Sequence, residues 1–317
     1  GLKKGDYLWT SGISFVASAN CGLYCGAKID LVDIDIGNFN ISVSKLKEKL
    51  ELAFKKKKIP KILVVVHMGG NSCDMEEIYK LSIKYNFKII EDASHASGSY
   101  YKNEIVGNCK YSNVCVFSFH PVKIFTSGEG GAILTNQKKV SEKLKMLRNH
   151  GIQRDTKKFK KKKQLSWYYE QQLLGYNYRI TDIQAALGTS QLKKINSFIK
   201  KRNFIYKIYK KKLKNSEIKF QYIEKYNYSS FHLVIVLFKN QKIRNKVFNF
   251  LRKRNYFVNL HYIPIYRHPF YRKFNFRYSE YPNCEDYFKR ALSIPAYYDL
   301  NMREISIFVK QIEKCLA

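Results

Sequence analysis

The chain has 317 residues, with 58 lysines and arginines against 25 aspartates and glutamates, a formal net charge of +33, and 45% apolar residues. That length supplies a large domain and a smaller one with ample core, and no apolar run approaches the ~18 residues a membrane-spanning helix needs. The charge alone would suit a nucleic-acid binder, but no helix-turn-helix, finger or RNP pattern accompanies it. Lysine is spread along the chain with abundant Asn, Ile and Tyr, all with AT-rich codons, so codon bias accounts for the charge and no nucleic acid is expected as a partner.

The seven cysteines (21, 25, 73, 109, 115, 284 and 315) are odd in number, form no CxxC and mostly sit in apolar segments. They read as reduced thiols, neither a disulfide frame nor a zinc site, and no metal is expected. GLKKGDYLWTSG at the N-terminus has neither a hydrophobic signal region nor a transit-peptide composition. A cytoplasmic location without membrane attachment is expected.

In chain order, Tyr7 to Thr10 reads as a strand, Ser18 to Cys25 as a helix and Ile29 to Ile34 as the next strand. Ile41 to Ala53 has helical periodicity through Leu46, Leu50 and Ala53, and Lys55 to Lys58 form its solvated end. Lys61 to His67 is a continuous apolar run, the pattern of a parallel strand buried on both faces. Asp74 caps a helix over Met75 to Tyr85, and Asn86 to Ile90 is another strand. Val114 to Phe119 and Ala132 to Thr135 are strands joined by a crossing rich in glycine. This alternation predicts a doubly wound α/β domain.

Beyond it, Lys157 to Lys163 (KKFKKKK) reads as a mobile basic loop, and Thr181-Asp182 caps a helix. A long basic helix over Asn196 to Lys214 leads into a second unit. There Phe231 to Phe238 is a core strand, Lys242 to Asn255 a helix, His261 to Pro269 a proline-punctuated loop and Met302 to Cys315 the last helix. The expected division is residues 1–195 as a large cofactor-binding domain and 196–317 as the connecting helix with a smaller α+β domain.

Two residues carry the chemistry. Lys123 lies on the glycine-bounded crossing between Val122 and Ile124. A lysine held against apolar surface has a depressed pKa and a nucleophilic amine, the requirement for condensing with an aldehyde cofactor. Asp92 closes the strand upstream, at the carboxyl edge where α/β sheets bind ligands. A carboxylate there can keep a pyridine nitrogen protonated. Together they form the signature of pyridoxal 5'-phosphate chemistry.

The segments EDASHASG, FSFHPVK, GEGGAILTN, RNHGI and GYNYRITDIQAALG, taken with their order, resemble the DegT/StrS-type sugar aminotransferases. These are fold-type-I enzymes that aminate keto-sugars carried on nucleotides. The resemblance covers nearly the whole chain. It implies pyridoxal phosphate as cofactor, a UDP-linked keto-sugar and L-glutamate as substrates, and a homodimer with shared active sites. It also implies a segment of a few dozen residues before the position of Gly1, with a turn for the cofactor phosphate.

By the same resemblance Phe15 stacks on the pyridine face, His95 sits near the phenolic oxygen, and Ser118 contacts the phosphate. Asn177 and Arg179 likewise reach the partner subunit's phosphate, while His261, Tyr262 and Tyr266, on the proline-punctuated loop, are read from their place in the chain as lining the sugar pocket. Gly12 stands where the family usually has proline, which predicts a looser loop. His67 reads either as a site residue or as a strand-end histidine satisfied by backbone. A related dehydratase carries histidine at the lysine position, so Lys123 points away from it, and intact Asp92, Ser118 and Lys123 weigh against a fold without chemistry.

Overall fold

The computed structural model describes residues 1–161 and 165–316. Alternating strands and helices run β1 (Tyr7–Ser11), α1 (Ala17–Tyr24), β2 (Lys28–Val32), α2 (Val43–Lys55), β3 (Ile62–Val66), α3 (Met75–Tyr85) and β4 (Lys88–Asp92). The two-residue strands β5 (Tyr100–Tyr101) and β6 (Glu104–Ile105) precede β7 (Val114–Ser118) and β8 (Gly131–Leu134). The main sheet has the order β2-β1-β3-β4-β7-β8, parallel except for β8 at the edge. The doubly wound domain expected from the alternation is therefore present, and its carboxyl edge carries Asp92 and Ser118.

Local causes are visible in the helices. Ser42 accepts the Lys45 N–H and starts α2, whose Leu46, Leu50 and Ala53 form the buried stripe. Asp74 sits at the cap position of α3 but makes no cap hydrogen bond there. Its carboxylate instead accepts the Tyr101 hydroxyl at 2.6 Å.

The chain continues through α4 (Lys138–Leu147), the strand pair β9 (Ile152–Gln153) and β10 (Glu170–Gln171), α5 (Asp182–Leu192) and α6 (Ile195–Lys212). Thr181 and Gln184 form a capping box at the start of α5. The described part of the basic loop is anchored: the N–H groups of Lys160 and Lys161 donate to the Glu170 carboxylate at 2.8 and 2.9 Å. Lys162 and Lys163, the rest of the stretch read as mobile, lie outside the described residues.

The last part holds β11 (Lys219–Phe220), β12 (Asn227–Tyr228), β13 (Val234–Leu237), α7 (Gln241–Arg252), α8 (Pro282–Arg290), β14 (Ala291–Ile294) and α9 (Met302–Leu316). A three-stranded antiparallel sheet, β11-β13-β14, packs with α6, α7 and α9 around Tyr209, Val236, Leu251 and Phe308. The strand is shorter than expected because Phe231 takes a left-handed φ of 46°, which interrupts extended backbone before Val234.

The two parts share a core across residue 195. Leu8, Leu31 and Val64 of the main sheet cluster with Ile235, Leu237, Ile265 and Tyr287. The Asp33 carboxylate accepts the N–H groups of Asn283 and Cys284, at 3.0 and 2.8 Å, at the amino end of α8. That is where a helix dipole favours negative charge.

Candidate active site

The carboxyl edge of β4 and β7 brings the catalytic candidates together. Asp92 ends β4 in register with Val116, two residues before Ser118 on β7. The chain then turns back, the Lys123 N–H closing on the His120 carbonyl at 2.9 Å. Gly128, at φ 80°, carries the return towards β8 in a backbone conformation that costs glycine little. Lys123 is half-buried, and its amine makes no hydrogen bond or ion pair to the described residues. Burial lowers its pKa, and the negative charge of Asp92 opposes that shift. The acid and the amine therefore act on one region.

Asp92 is held in place. Ser18 on α1 donates its hydroxyl to one carboxylate oxygen at 2.7 Å, and the Ser94 N–H donates to the other at 3.2 Å. Ser14 and Ser18 share a further hydrogen bond of 2.7 Å. The neighbouring Cys21 thiol is pushed up to about 11, first by burial and then by the Asp92 charge. Ser18 was not singled out from the sequence. Its only signal there is a place three residues after Phe15, and no spacing rule links it to a carboxylate 74 positions away.

Phe15 is 58% exposed, an aromatic face left open beside the site. Its ring lies 5.9 Å from that of Tyr262. Tyr262 in turn stacks at 5.9 Å on His95, and its hydroxyl meets His95 Nε2 at 3.0 Å. His95 Nδ1 accepts the Gly69 N–H at 3.4 Å, which places the proton on Nε2 and makes the histidine the donor to Tyr262. Burial, then the positive charge of Lys123, holds His95 well below its ordinary pKa, so it is neutral. The Lys123 charge also reaches His261, whose pKa falls to about 4, mainly through burial.

Not every expected residue joins this group. Tyr266 is 1% exposed, packs against Tyr281 at 4.8 Å and donates its hydroxyl to Glu285 at 2.8 Å, so it is a core residue and lines no sugar pocket in this structure. Its ring belongs to the buried cluster with Leu31, Ile34 and Cys284, so its bulk is taken up in packing. Gly12 does not loosen its loop, because its N–H and carbonyl bond Val32 and Ile265, both at 2.9 Å. A Cβ there would stand 2.8 Å from the Cys284 sulfur. His67 faces away, accepting the Cys73 N–H on Nδ1 at 3.2 Å and meeting Glu91 through Nε2 at 2.8 Å. Asn177 and Arg179 are exposed, on a bridge of Asn177 to Asn149, whose amide oxygen Arg179 also bonds at 2.7 Å. No described hydrogen bond connects them to Lys123 or Asp92.

The residues present fit pyridoxal phosphate. Lys123 offers an unpaired amine of lowered pKa. Asp92 is a fixed carboxylate with lone pairs to spare for a pyridinium N–H. Phe15 supplies an uncovered ring face, and Ser118 Oγ accepts the His120 N–H at 3.4 Å but donates to no atom of the described residues, leaving its proton for a phosphate oxygen. Fold and site together define a fold-type-I, pyridoxal-phosphate-dependent enzyme.

The chain belongs to the DegT/DnrJ/EryC1/StrS aminotransferase family, whose profile matches residues 1–313. It is 39% identical over 315 residues to a UDP-4-amino-4,6-dideoxy-N-acetyl-beta-L-altrosamine transaminase of Campylobacter jejuni, covering 98% of this chain and 78% of that one. A protein of Methanocaldococcus jannaschii is 36% identical, covering 100% of this chain and 81% of its own length. Among solved structures, Helicobacter pylori PseC, an aminotransferase involved in the biosynthesis of pseudoaminic acid, superposes with a TM-score of 0.88 at 30% identity, over 98% of this chain and 80% of that chain.

Proposed function

We propose that this protein transfers an amino group from L-glutamate to C4 of a UDP-linked 4-keto-6-deoxy-N-acetylhexosamine, in the formation of pseudaminic acid or a related surface-glycan sugar. The observation that carries the reading is the convergence of Lys123 and Asp92 on one carboxyl edge, in a chain 39% identical to an altrosamine transaminase. Pyridoxal phosphate, when bound, supplies the electron sink.

The protein's own groups do the rest. Lys123 would hold the cofactor, and its amine, once free, would carry a proton from the donor's Cα to the cofactor and, in the second half-reaction, from the cofactor to C4 of the sugar. Asp92, fixed by Ser18 and the Ser94 N–H, keeps the pyridine nitrogen protonated. Phe15 would cover the ring face and Ser118 would donate to the phosphate, while His95, neutral, holds the Tyr262 hydroxyl in the same region. His261 and Tyr262 are the sugar-side candidates.

A homodimer completes the site in this reading, with Asn177 and Arg179 reaching the partner's phosphate. In support, the stretch of chain that carries them exposes large apolar side chains: Trp167 (72% exposed), Leu174 (89%), Tyr178 (72%) and Ile183 (85%). An uncovered apolar surface of this kind favours a protein partner.

The test is the visible absorption of the cofactor-loaded protein. Glutamate bleaches it, UDP-keto-sugar restores it, and an amino-sugar nucleotide appears by mass spectrometry. Lys123→Ala loses the lysine-bound band and slows both half-reactions by at least about 10³-fold. Normal turnover by that variant would defeat the assignment.

A further inference from the structure

We propose that the cavity bounded by Val122, His232 and His261 is a carboxylate pocket for the amino donor, with Arg202 as its cation and His232 as a neutral hydrogen-bonding group, joined by His261, which serves the donor in the half-reaction before the sugar enters. The inference rests on the transaminase reading above and assigns the donor's place within it. The cavity measures about 720 Å³, the size range of small-ligand sites, and its lining includes Val122, the chain neighbour of Lys123. The Lys123 charge is felt at both His232 and His261. The His232 ring also packs at 4.5 Å on His95, which meets Tyr262 beside Phe15, so the space borders the candidate site.

Its polar groups are unspent. Arg202 is 8% exposed and donates only through Nη1, to the carbonyl oxygens of Phe231 (3.2 Å), His232 (3.1 Å) and Ala296 (2.5 Å). Nε and Nη2 have no hydrogen-bond partner and the guanidinium has no carboxylate partner among the described residues. Burial lowers its pKa to about 10, as expected of a cation poorly solvated and unpaired. His232 is 7% exposed, its ring makes no hydrogen bond to the described residues, and its Nδ1 is buried without a partner. His261 Nδ1 pairs with Ser293 Oγ at 2.9 Å, which leaves Nε2 for a ligand. The one carboxylate in the lining, Glu304, is exposed and accepts the Asn301 N–H at 2.9 Å.

A buried cation without a counter-ion is costly, and an entering anion offsets that cost. The planar guanidinium matches a carboxylate in geometry. One fixed cation with two neutral imidazoles suits a single negative charge, which favours a carboxylate over the diphosphate of a nucleotide. A dicarboxylic amino acid can place one carboxylate here.

His232→Phe is the discriminating variant. The ring it replaces makes no hydrogen bond to the described residues and packs against His95 at 4.5 Å, a contact phenylalanine can keep. Thermal unfolding of the cofactor-free protein is measured with glutarate and, separately, with UDP. Glutarate is expected to raise the Tm of the wild type and to have little effect on His232→Phe or Arg202→Met, while the UDP response is unchanged in His232→Phe. In the loaded enzyme, His232→Phe raises the KM for glutamate at least tenfold and leaves that for the keto-sugar unaltered.

The proposal is overturned if glutarate leaves the wild type unshifted, if it shifts His232→Phe as much as wild type, or if the UDP response is the one lost. An unchanged KM for glutamate in His232→Phe overturns the pocket while leaving the aminotransferase reading intact. Failure to aminate with any donor overturns that reading and leaves glutarate binding to be read separately.

Discussion

Lys123 and the imidazoles near it show how burial sets chemistry at a single residue. A lysine in water is protonated and inert as a nucleophile; here the half-buried amine is displaced downward, and the Asp92 charge limits the fall. The same burial keeps His95, His232 and His261 neutral. Each folded-state pKa lies below the unfolded value, so the unfolded chain binds more protons as pH drops below ~6.5. Stability is thus full above that point and is lost on acidification. For His261, down to its folded value of about 4, the loss reaches about 3 kcal/mol. Lys123 acts with the same sign at alkaline pH, its penalty easing as pH rises towards the ordinary lysine value. Urea unfolding at pH 7 and pH 5, a window in which ordinary carboxylates contribute little, should show a clear fall in ΔG. A flat profile would mean the imidazoles are not held neutral.

Among the elements, α8 owes its position to an acid on another part of the chain. Asp33, just past β2, bonds two N–H groups at the helix start, and Asn283 donates its amide to the Ile34 carbonyl at 2.8 Å. These bonds fasten the segment that also carries Tyr266 and Tyr287 against the main sheet. Asp33→Ala leaves two buried or half-buried donors unpaired and should cost about 2 kcal/mol. Because Asp33 lies away from Lys123's hydrogen-bonded surroundings, bleaching by glutamate should survive at temperatures where the variant is folded. Unchanged stability in denaturant would show the contact to be dispensable. The capping box at Thr181 plays a comparable part for α5, and there the sequence pattern was sufficient because the box is local.

For the molecule as a whole, the exposed aromatic stretch and the distance in sequence between Lys123 and Arg179 bear on assembly. If Arg179 serves the partner's site, a mixed dimer of Lys123→Ala with Arg179→Ala contains one site free of both changes. Mixing the two inactive variants after partial unfolding should then recover up to about a quarter of wild-type activity. In the dimer proposed above, Ile183→Asp, on the exposed face of α5, should shift the equilibrium to monomer in sedimentation. No recovery on mixing, with dimers verified, would place Arg179 outside any shared site.

Order and type of the elements were legible because strand and helix periods are local properties of the chain. So were Asp92 and Lys123, since a strand-end acid and a lysine among apolar neighbours announce themselves by immediate context. Tertiary packing alone decided that Ser18 holds Asp92, that Tyr262 pairs with His95, that Tyr266 is core and that Arg202 and His232 share a cavity. Each of these is a contact between residues far apart in the chain, and no local pattern encodes which distant side chain will fill the space beside another.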